Sequence, residues 1–373
     1  MKIGILTLHS NTNFGGGLQQ IAMFETLKSL GHEPRFLCVV NNTKLSAPRH
    51  LVGIMSSYSC GQLVLAVKEG FKRITEKKSL PIPNYEISKK TDDFNYSVLN
   101  YTPKFNVEEL SQYASDCDAI ICGSDQVWTD VYSGVLPYFC DAMPDFKGKR
   151  IAFAVCSAHN RVPIYNRAKI KKLLSDFDAI YVRDRTTEQL VKRCSKIDAQ
   201  IVCDPTLLYD FKSYLKPSPI SGPYIFVYVL GDKPAEWHQR NLDKIKAETG
   251  VTKVVVLTAS LDEKYSWADI VITDALAVDW MNILRESDFV YTNSFHAVIF
   301  SLKFHRQFVA YYGDVVRSSR MRGLREQLEL SNRIVKNPQL VDYKSFISFD
   351  KYDDAIGSIA QSSLTYLRSA LKS

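Results

Sequence analysis

The sequence predicts an α/β protein of two halves, each built on a mostly parallel sheet, with their ligand edges facing a cleft. Three observations lead there. The chain opens strand, loop, helix, strand, which is a βαβ unit with a right-handed crossover. Successive apolar β-type runs then end in polar loops, as parallel strands do where they reach a ligand edge. Finally, 373 residues exceed one ordinary core and suggest two domains of roughly 150 to 200 residues. The boundaries read as residues 1–210 for the N-terminal domain, 211–350 for the C-terminal domain, and 351–373 for a helix packing back across both.

Taken in order, Lys2 to Leu8 is the first strand, His9 to Gly17 a glycine-rich loop, and Leu18 to Leu30 a helix that Gly31 closes. Asn11, Asn13, Gly15, Gly16 and Gly17 therefore fall at the carboxyl edge of the strand. The glycines either let backbone N–H groups approach a phosphate or sugar, or only permit a tight turn. A third glycine of the dinucleotide fingerprint is missing. Arg35 to Val40 is the next strand. Residues 41–100 are harder to read: one helix near Gln62 to Lys77 carries Lys68, Lys72, Arg73, Lys77 and Lys78, which either meet anionic lipid head groups or form a solvated face.

Ala119 to Cys122 is a strand followed by GSDQVW, so Gly123, Ser124 and Asp125 sit at another ligand edge. Asp125 is either a base or the cap of the next turn. Ile151 to Val155, running into His159, and Phe177 to Val182, running into Arg183, repeat the arrangement. Ile201 to Cys203 closes this half with Asp204-Pro205, and Thr206 to Pro223 reads as a linker. The second half alternates strand Ile225 to Val229, helix Ala235 to Thr249, strand Lys253 to Leu257 and helix Ala275 to Arg285. It then reaches strand Phe289 to Thr292, helix Ala297 to Phe304 and a further strand. Between the last-named helix and the strand before it lie Asn293, Ser294, Phe295 and His296. Asn and Ser are good N-caps, which puts His296 in a first helical turn, where orphan N–H groups favour an anion. The plainer reading is a histidine that hydrogen-bonds at a helix start. Arg317, Arg320, Arg322 and Arg325 follow, with forks that match carboxylate or phosphate or simply end a solvated helix.

Composition narrows the function classes. Hydrophobic residues make up 46% and charged residues 23%, which argues against wholesale disorder. No run approaches the ~18 apolar residues of a membrane span, so a cytoplasmic protein is expected. Eight cysteines are scattered without CxxC pairs, which predicts neither a zinc site nor a disulfide framework. A net charge of +7 favours anionic ligands or a membrane surface, and no basic module for nucleic acid is present. HExxH, P-loop and GxSxG motifs are absent. The Asp116/Asp118 and Asp176/Asp178 pairs precede their strands, so they lie away from the ligand side and read as turn residues, not metal ligands. Arginines, one or two histidines and an aspartate suit transfer of an anionic substrate without a metal.

The order GSDQVW, IAFAVCSA, VRDR, DPTLLY, SDFVYTNSFHAVIFSL and SSRMRGLRE resembles the polysaccharide pyruvyl transferase family, from about Lys2 to Arg333. The resemblance implies two Rossmann-like domains around a cleft, similar to the GT-B glycosyltransferase fold. It implies transfer of a pyruvyl group from phosphoenolpyruvate to a sugar of a cell-surface polysaccharide or its lipid-linked precursor, as a cyclic ketal, with no other cofactor. The expected location is the cytoplasm or the inner face of the membrane, with the Lys68 to Lys78 stretch as the candidate for peripheral membrane contact. The family's late-helix histidine matches His296, its mid-chain aspartate Asp125, its arginine Arg183, and another histidine His159. Catalytic roles are thereby expected for His296, Asp125 and His159. Substrate binding is expected from Arg183, Asn293, Ser294, Arg317, Arg320, Arg322, Asn13, Gly16, Gly17 and Ser124. One departure stands out: many members carry arginine two positions before the helix histidine, and this chain has Ser294. Arg317, Arg320 or Arg322 are the residues able to supply that charge. Two alternatives are a nucleotide-sugar glycosyltransferase of the same architecture and a catalytically idle glycan-binding protein.

Overall fold

The computed structural model describes residues 1–9, 13–41, 52–53, 85–230, 233–259, 265–313 and 319–372. The Gln62 to Lys77 helix, its basic residues, Asn11 and Arg317 lie outside them. The first sheet contains β1 (Lys2–Leu6), β2 (Glu33–Phe36), β5 (Ala119–Cys122), β6 (Lys149–Val155), β7 (Ala179–Val182) and β8 (Gln200–Ile201). Two short strands, β3 (Val39–Val40) and β4 (Phe105–Asn106), pair apart from it. The second sheet contains β9 (Tyr224–Tyr228), β10 (Lys253–Leu257), β11 (Ile270–Ile272), β12 (Phe289–Thr292), β13 (Gln307–Tyr311) and β14 (Ile334–Val335). Every pairing in both sheets is parallel.

The strand orders are β2-β1-β5-β6-β7-β8 and β11-β10-β9-β12-β13-β14. Strand order reverses between β1 and β5 in the first sheet and between β9 and β12 in the second. Open α/β sheets take their ligands beyond the carboxyl ends of the strands at such points. The central strands carry no polar alternation because both faces are covered: AIIC of β5, YIFVY of β9 and FVYT of β12 are buried throughout.

The helix Phe14–Ser29 is buried on almost every side and joins the halves. Phe14 stacks on Trp280 with ring centroids 6.2 Å apart and meets Tyr228 at 5.5 Å. Residues of both sheets and of the helices between them thus share one apolar core. The expected loop over Gly15 to Gly17 is in fact the first turn of this helix. Asn13 is its N-cap, its Oδ1 accepting from Gly16 N at 3.0 Å, and burial of Phe14 outweighs the low helix propensity of three glycines.

Other boundaries also moved. Arg35 to Val40 is not one strand, because Phe36 N bonds to Asn100 O and Val39–Val40 turns to pair with Phe105–Asn106. The 206–223 stretch is not a plain linker: it contains 3-10 turns at Pro205–Leu207 and Lys212–Tyr214. The two Asp-x-Asp pairs lie at the strand starts: Asp118 accepts from Lys2 N at 2.7 Å and Asp178 from Arg150 N at 2.7 Å. Among the described residues no cluster is arranged to hold a metal ion, and no helix is long and apolar enough to cross a membrane.

The last helix, Asp350–Lys372, touches both halves. Near its start, Asp353 Oδ1 lies 2.9 Å from His305 Nε2. Farther along, Ser363 Oγ accepts from Cys203 N at 2.9 Å, Tyr366 stacks on Tyr181, and Lys149 Nζ donates to Leu371 O at 3.2 Å.

Candidate functional site

At the carboxyl edge of β12 the chain leaves the sheet through Asn293 and turns into the helix Phe295–Lys303. Asn293 is a structural clamp: its Oδ1 accepts from Leu230 N at 2.7 Å and its Nδ2 donates to Leu230 O at 3.0 Å, tying the ends of β9 and β12 together. Ser294 is the N-cap, accepting from Ala297 N at 3.5 Å. His296 is therefore the second helical residue, within the turn whose N–H groups have no intrahelical partner. It is only 5% exposed. The glycine turn of the first half closes over it. A Cβ on Gly15 would lie 2.1 Å from His296 Nδ1, so the absent side chain is what lets the imidazole fit.

The facing edge of the first sheet supplies charge. Arg183, directly after β7, is buried and donates through Nη2 to Asp125 Oδ1 at 2.9 Å and through Nη1 to Ser124 Oγ at 3.3 Å and to Asp204 Oδ2. Asp204, after β8, is fixed at its other oxygen by Thr206 N at 3.0 Å and Thr206 Oγ1 at 2.7 Å. Its Oδ2 is 3.5 Å from His296 Nε2, long for a hydrogen bond. From the second half, Arg320 Nη1 reaches the same Asp125 Oδ1 at 3.0 Å. Both guanidiniums lie over the Phe295 ring, at 5.2 Å for Arg183 and 5.8 Å for Arg320. Lys303, at the far end of the His296 helix, donates to Thr206 O at 3.0 Å and so ties that helix to the Asp204 segment.

These contacts set the charges. Burial alone pushes the Asp125 carboxyl up, but Arg183 and Arg320 outweigh it and hold it below the usual carboxylate range. Burial acts the same way on Asp204, and the Arg183 guanidinium beside it leaves its carboxyl well below that range. Burial would lower the Arg183 value, yet Cys156, Asp204 and Asp125 around it raise it further. Within the cluster, two buried polar atoms, His296 Nε2 and Arg183 Nε, have no hydrogen-bond partner among the described residues. Unpaired buried groups are costly, which makes these two atoms candidates for satisfaction by a ligand.

Of the residues singled out in the sequence, His296, Asp125, Arg183, Ser124 and Arg320 come together. Ser294, Asn293, Asn13 and Gly16 serve as caps and clamps, and Gly17 packs near Ala277. Arg322 is exposed on the helix Ser319–Gln327. His159 is held by Tyr132: its Nε2 pairs with Tyr132 Oη at 2.8 Å, and the two rings meet edge-on. Burial lowers its value to about 4, so it is neutral at pH 7. A carboxylate already paired with two guanidiniums is a poor proton acceptor, so Asp125 is built to orient Arg183 and Arg320 more than to act as a base. Asp204 was missed as a site residue, and Gly15, though placed at the ligand edge with Gly16 and Gly17, was not singled out from them. The signal for Asp204 was the same strand-end rule that found Asp125 and Arg183.

In the first half the segments that bear the site are those of the motifs GSDQVW, VRDR and DPTLLY, and the helix of the second half is that of SFHAVIF. The fold is similar to that of a putative UDP-N-acetylglucosamine 2-epimerase from Listeria monocytogenes, with 11% identity and a TM-score of 0.50 over 100% of this chain and 95% of that one. The UDP-GlcNAc 2-epimerase from Neisseria meningitidis bound to UDP-GlcNAc gives 8% identity and a TM-score of 0.51 over 100% and 99%. Arabidopsis thaliana UGT89C1 complexed with UDP-L-rhamnose gives 11% and 0.50 over 98% and 97%. At such identities the likeness concerns the fold alone, a pair of Rossmann-like units of the GT-B kind. No curated protein matches the chain in sequence. Residues 13–314, which include every residue of the cluster except Arg320, match the family described as Polysaccharide pyruvyl transferase. The chain therefore belongs to the polysaccharide pyruvyl transferase family.

Proposed function

We propose that the protein transfers the pyruvyl group of phosphoenolpyruvate to two hydroxyls of a sugar in a cell-surface polysaccharide or its lipid-linked precursor, giving a cyclic ketal. The observation that carries the reading is the buried, unpartnered His296 Nε2 beside two guanidiniums. A proton donor next to a double cationic seat is what a small carboxylate-phosphate donor with a reactive alkene requires. Arg320 takes the place of the arginine absent at Ser294, reaching the seat from the following helix.

His296 protonates the CH2 carbon of the donor, and a sugar hydroxyl adds at C2 and returns its proton to the imidazole. Phosphate leaves with the C2–O electron pair, and the second hydroxyl closes the ring, its proton ending on phosphate. One hydroxyl proton is thus found in the new methyl group and the other on phosphate, so no separate base is needed. Arg183 and Arg320 hold the donor's anionic groups. Asp204, 3.5 Å from Nε2, counters the charge of an imidazolium while His296 carries the proton.

Thermal unfolding with phosphoenolpyruvate, inorganic phosphate and a panel of nucleotide sugars tests the reading. A ligand at 100 times its dissociation constant adds about 2.7 kcal/mol. Stabilisation by phosphoenolpyruvate, together with loss of turnover by about 100-fold in a folded His296→Ala variant, supports pyruvyl transfer. Stabilisation by a nucleotide sugar alone would move the assignment to glycosyl transfer.

A further inference from the structure

The helix Phe295–Lys303 carries a second ionisable side chain besides His296. Lys303 lies seven positions later, about two turns along at 3.6 residues per turn, so both side chains leave the same face of the helix. Phe300, four positions after His296, lies on that face between them. The whole face is docked on one stretch of chain, residues 204–211. His296 Nε2 stands 3.5 Å from Asp204 Oδ2, and the Phe300 ring meets Phe211 edge-on at 5.3 Å between centroids. Lys303 Nζ donates to two backbone carbonyls, those of Thr206, at 3.0 Å, and Tyr209.

The stretch is built so that a hold on Thr206 is a hold on Asp204. Asp204 caps the 3-10 turn Pro205–Leu207, its Oδ1 accepting from Thr206 N and Thr206 Oγ1, and its Oδ2 is thereby turned toward Arg183 and His296. At the other end Phe211, fully buried, has φ +62°, a left-handed conformation that a bulky residue adopts only when its surroundings impose it. Lys303 Nζ lies 5.5 Å from the centre of that ring. Burial lowers the Lys303 ammonium from its ordinary range to about 8, with Asp210 and Cys203 offsetting part of the shift, so it remains a cation at pH 7. Asp210 is itself exposed and paired with Lys212 at 3.0 Å. A cation that burial disfavours is thus kept on two carbonyls whose position fixes the path of the chain from Asp204 to Phe211.

We propose that Lys303 is a positioning residue: by gripping the Thr206 and Tyr209 carbonyls it holds the Asp204 carboxylate against His296 Nε2, and so sets the turnover rate without touching a substrate. The inference rests on the pyruvyl transfer reading for the reaction that His296 serves. Without the ammonium, residues 204–211 draw away from the helix and carry Asp204 with them. Misplacement by about 1 Å is enough to cost 100-fold in rate. Arg183 keeps Asp125 and Ser124, and Arg320 keeps Asp125, so the seat for the donor's anionic groups survives.

The test compares the full chain with Lys303→Met, which keeps an unbranched apolar chain and removes the ammonium, with Asp204→Asn, and with the two combined. Hydrogen exchange reports the geometry with no assumption about the reaction: the Thr206 N–H, bonded to Asp204 Oδ1, exchanges at least 10-fold faster in Lys303→Met. Phosphate release from phosphoenolpyruvate with a polysaccharide acceptor reports the consequence. There kcat falls at least 10-fold, KM for phosphoenolpyruvate stays within twofold, and the double variant is no slower than Asp204→Asn alone. Where Lys303→Met does not fold, Lys303→Gln, whose neutral amide is shorter than the lysine chain, goes through the same measurements. Parental exchange at Thr206, parental kcat, a change confined to KM, or losses that multiply in the double variant each overturn the proposal. Turnover of a nucleotide sugar but not of phosphoenolpyruvate sinks the pyruvyl transfer reading, while a kcat loss of at least 10-fold in that reaction keeps the role of Lys303. Phosphate release that Lys303→Met leaves undiminished does the reverse, and a parent that turns over neither donor overturns both.

Discussion

Replacing Gly15 with alanine inserts one methyl group into the wall of the His296 pocket. An ideal Cβ there would stand 2.1 Å from Nδ1, 2.4 Å from Cγ and 2.7 Å from Cβ of His296. Carbon contacts settle near 3.5–4.0 Å, so ring and backbone must separate by about 1.4–1.9 Å. The histidine Cβ is itself in the way, so a change of rotamer alone does not relieve the clash. Misplacement of a reacting group by about 1 Å can cost 100-fold in rate, and overpacking costs about 1–3 kcal/mol of stability. The expected Gly15→Ala protein is folded, loses turnover by about 100-fold, and still gains thermal stability from phosphoenolpyruvate, because Arg183 and Arg320 do not touch Gly15. Phosphate release in the presence of a polysaccharide acceptor measures the first quantity and urea unfolding the second. Turnover within about twofold of the parent would show that the imidazole is not the reacting group or is not confined by this turn.

Asp204→Asn leaves the buried Arg183 with one carboxylate instead of two, and removal of one partner of a buried pair costs about 3–5 kcal/mol; a urea midpoint unchanged at pH 7 would contradict the network. Burial lowers His159 and His238 each to about 4 from the ordinary 6.5. Between those values the unfolded chain binds more protons than the folded one, so stability falls as pH drops from 6.5 toward 4, by about 2 kcal/mol per histidine at pH 5. Urea titrations at pH 7.5 and 5 measure that loss, which shrinks in His159→Gln. The two arginines of the late helix should separate sharply: Arg320→Ala weakens phosphoenolpyruvate binding at least 10-fold while Arg322→Ala, exposed, leaves it unchanged, as thermal-shift titrations will show. Ser363→Ala strips the Cys203 N–H of its partner and lowers stability by about 1–3 kcal/mol in urea.

The two-sheet plan was legible because buried parallel strands are short β-branched runs that end abruptly in polar residues. Ala119–Cys122, Lys253–Leu257 and Phe289–Thr292 could be read to the residue for that reason. β11 escaped notice because it is a three-residue strand whose middle position is exposed, which leaves little apolar signal. Gly15 to Gly17 read as loop because propensity is local, while their helical state depends on Phe14 meeting Trp280 some 266 positions away in sequence. Asp204 was overlooked since β8 is only two residues long and Pro205 directs attention to the turn it starts. Among the late arginines, sequence offered equal candidates; only the placement of the helix over Phe295 shows which of the described ones reaches Asp125.

The helix Asp350–Lys372 has a consequence for the order in which the molecule can be assembled. Its later turns rest on the first sheet, and the hydrogen bond between Cys203 and Ser363 spans 160 residues. During synthesis the strands β1 to β8 emerge long before the side chains that cover them on that face. Tyr181 then stays uncovered, and the Cys203 N–H unpaired, until the second half has also been made. The half of the molecule translated first is thus the half completed last, and a ribosome paused anywhere in the second half holds an unfinished surface that chaperones can recognise.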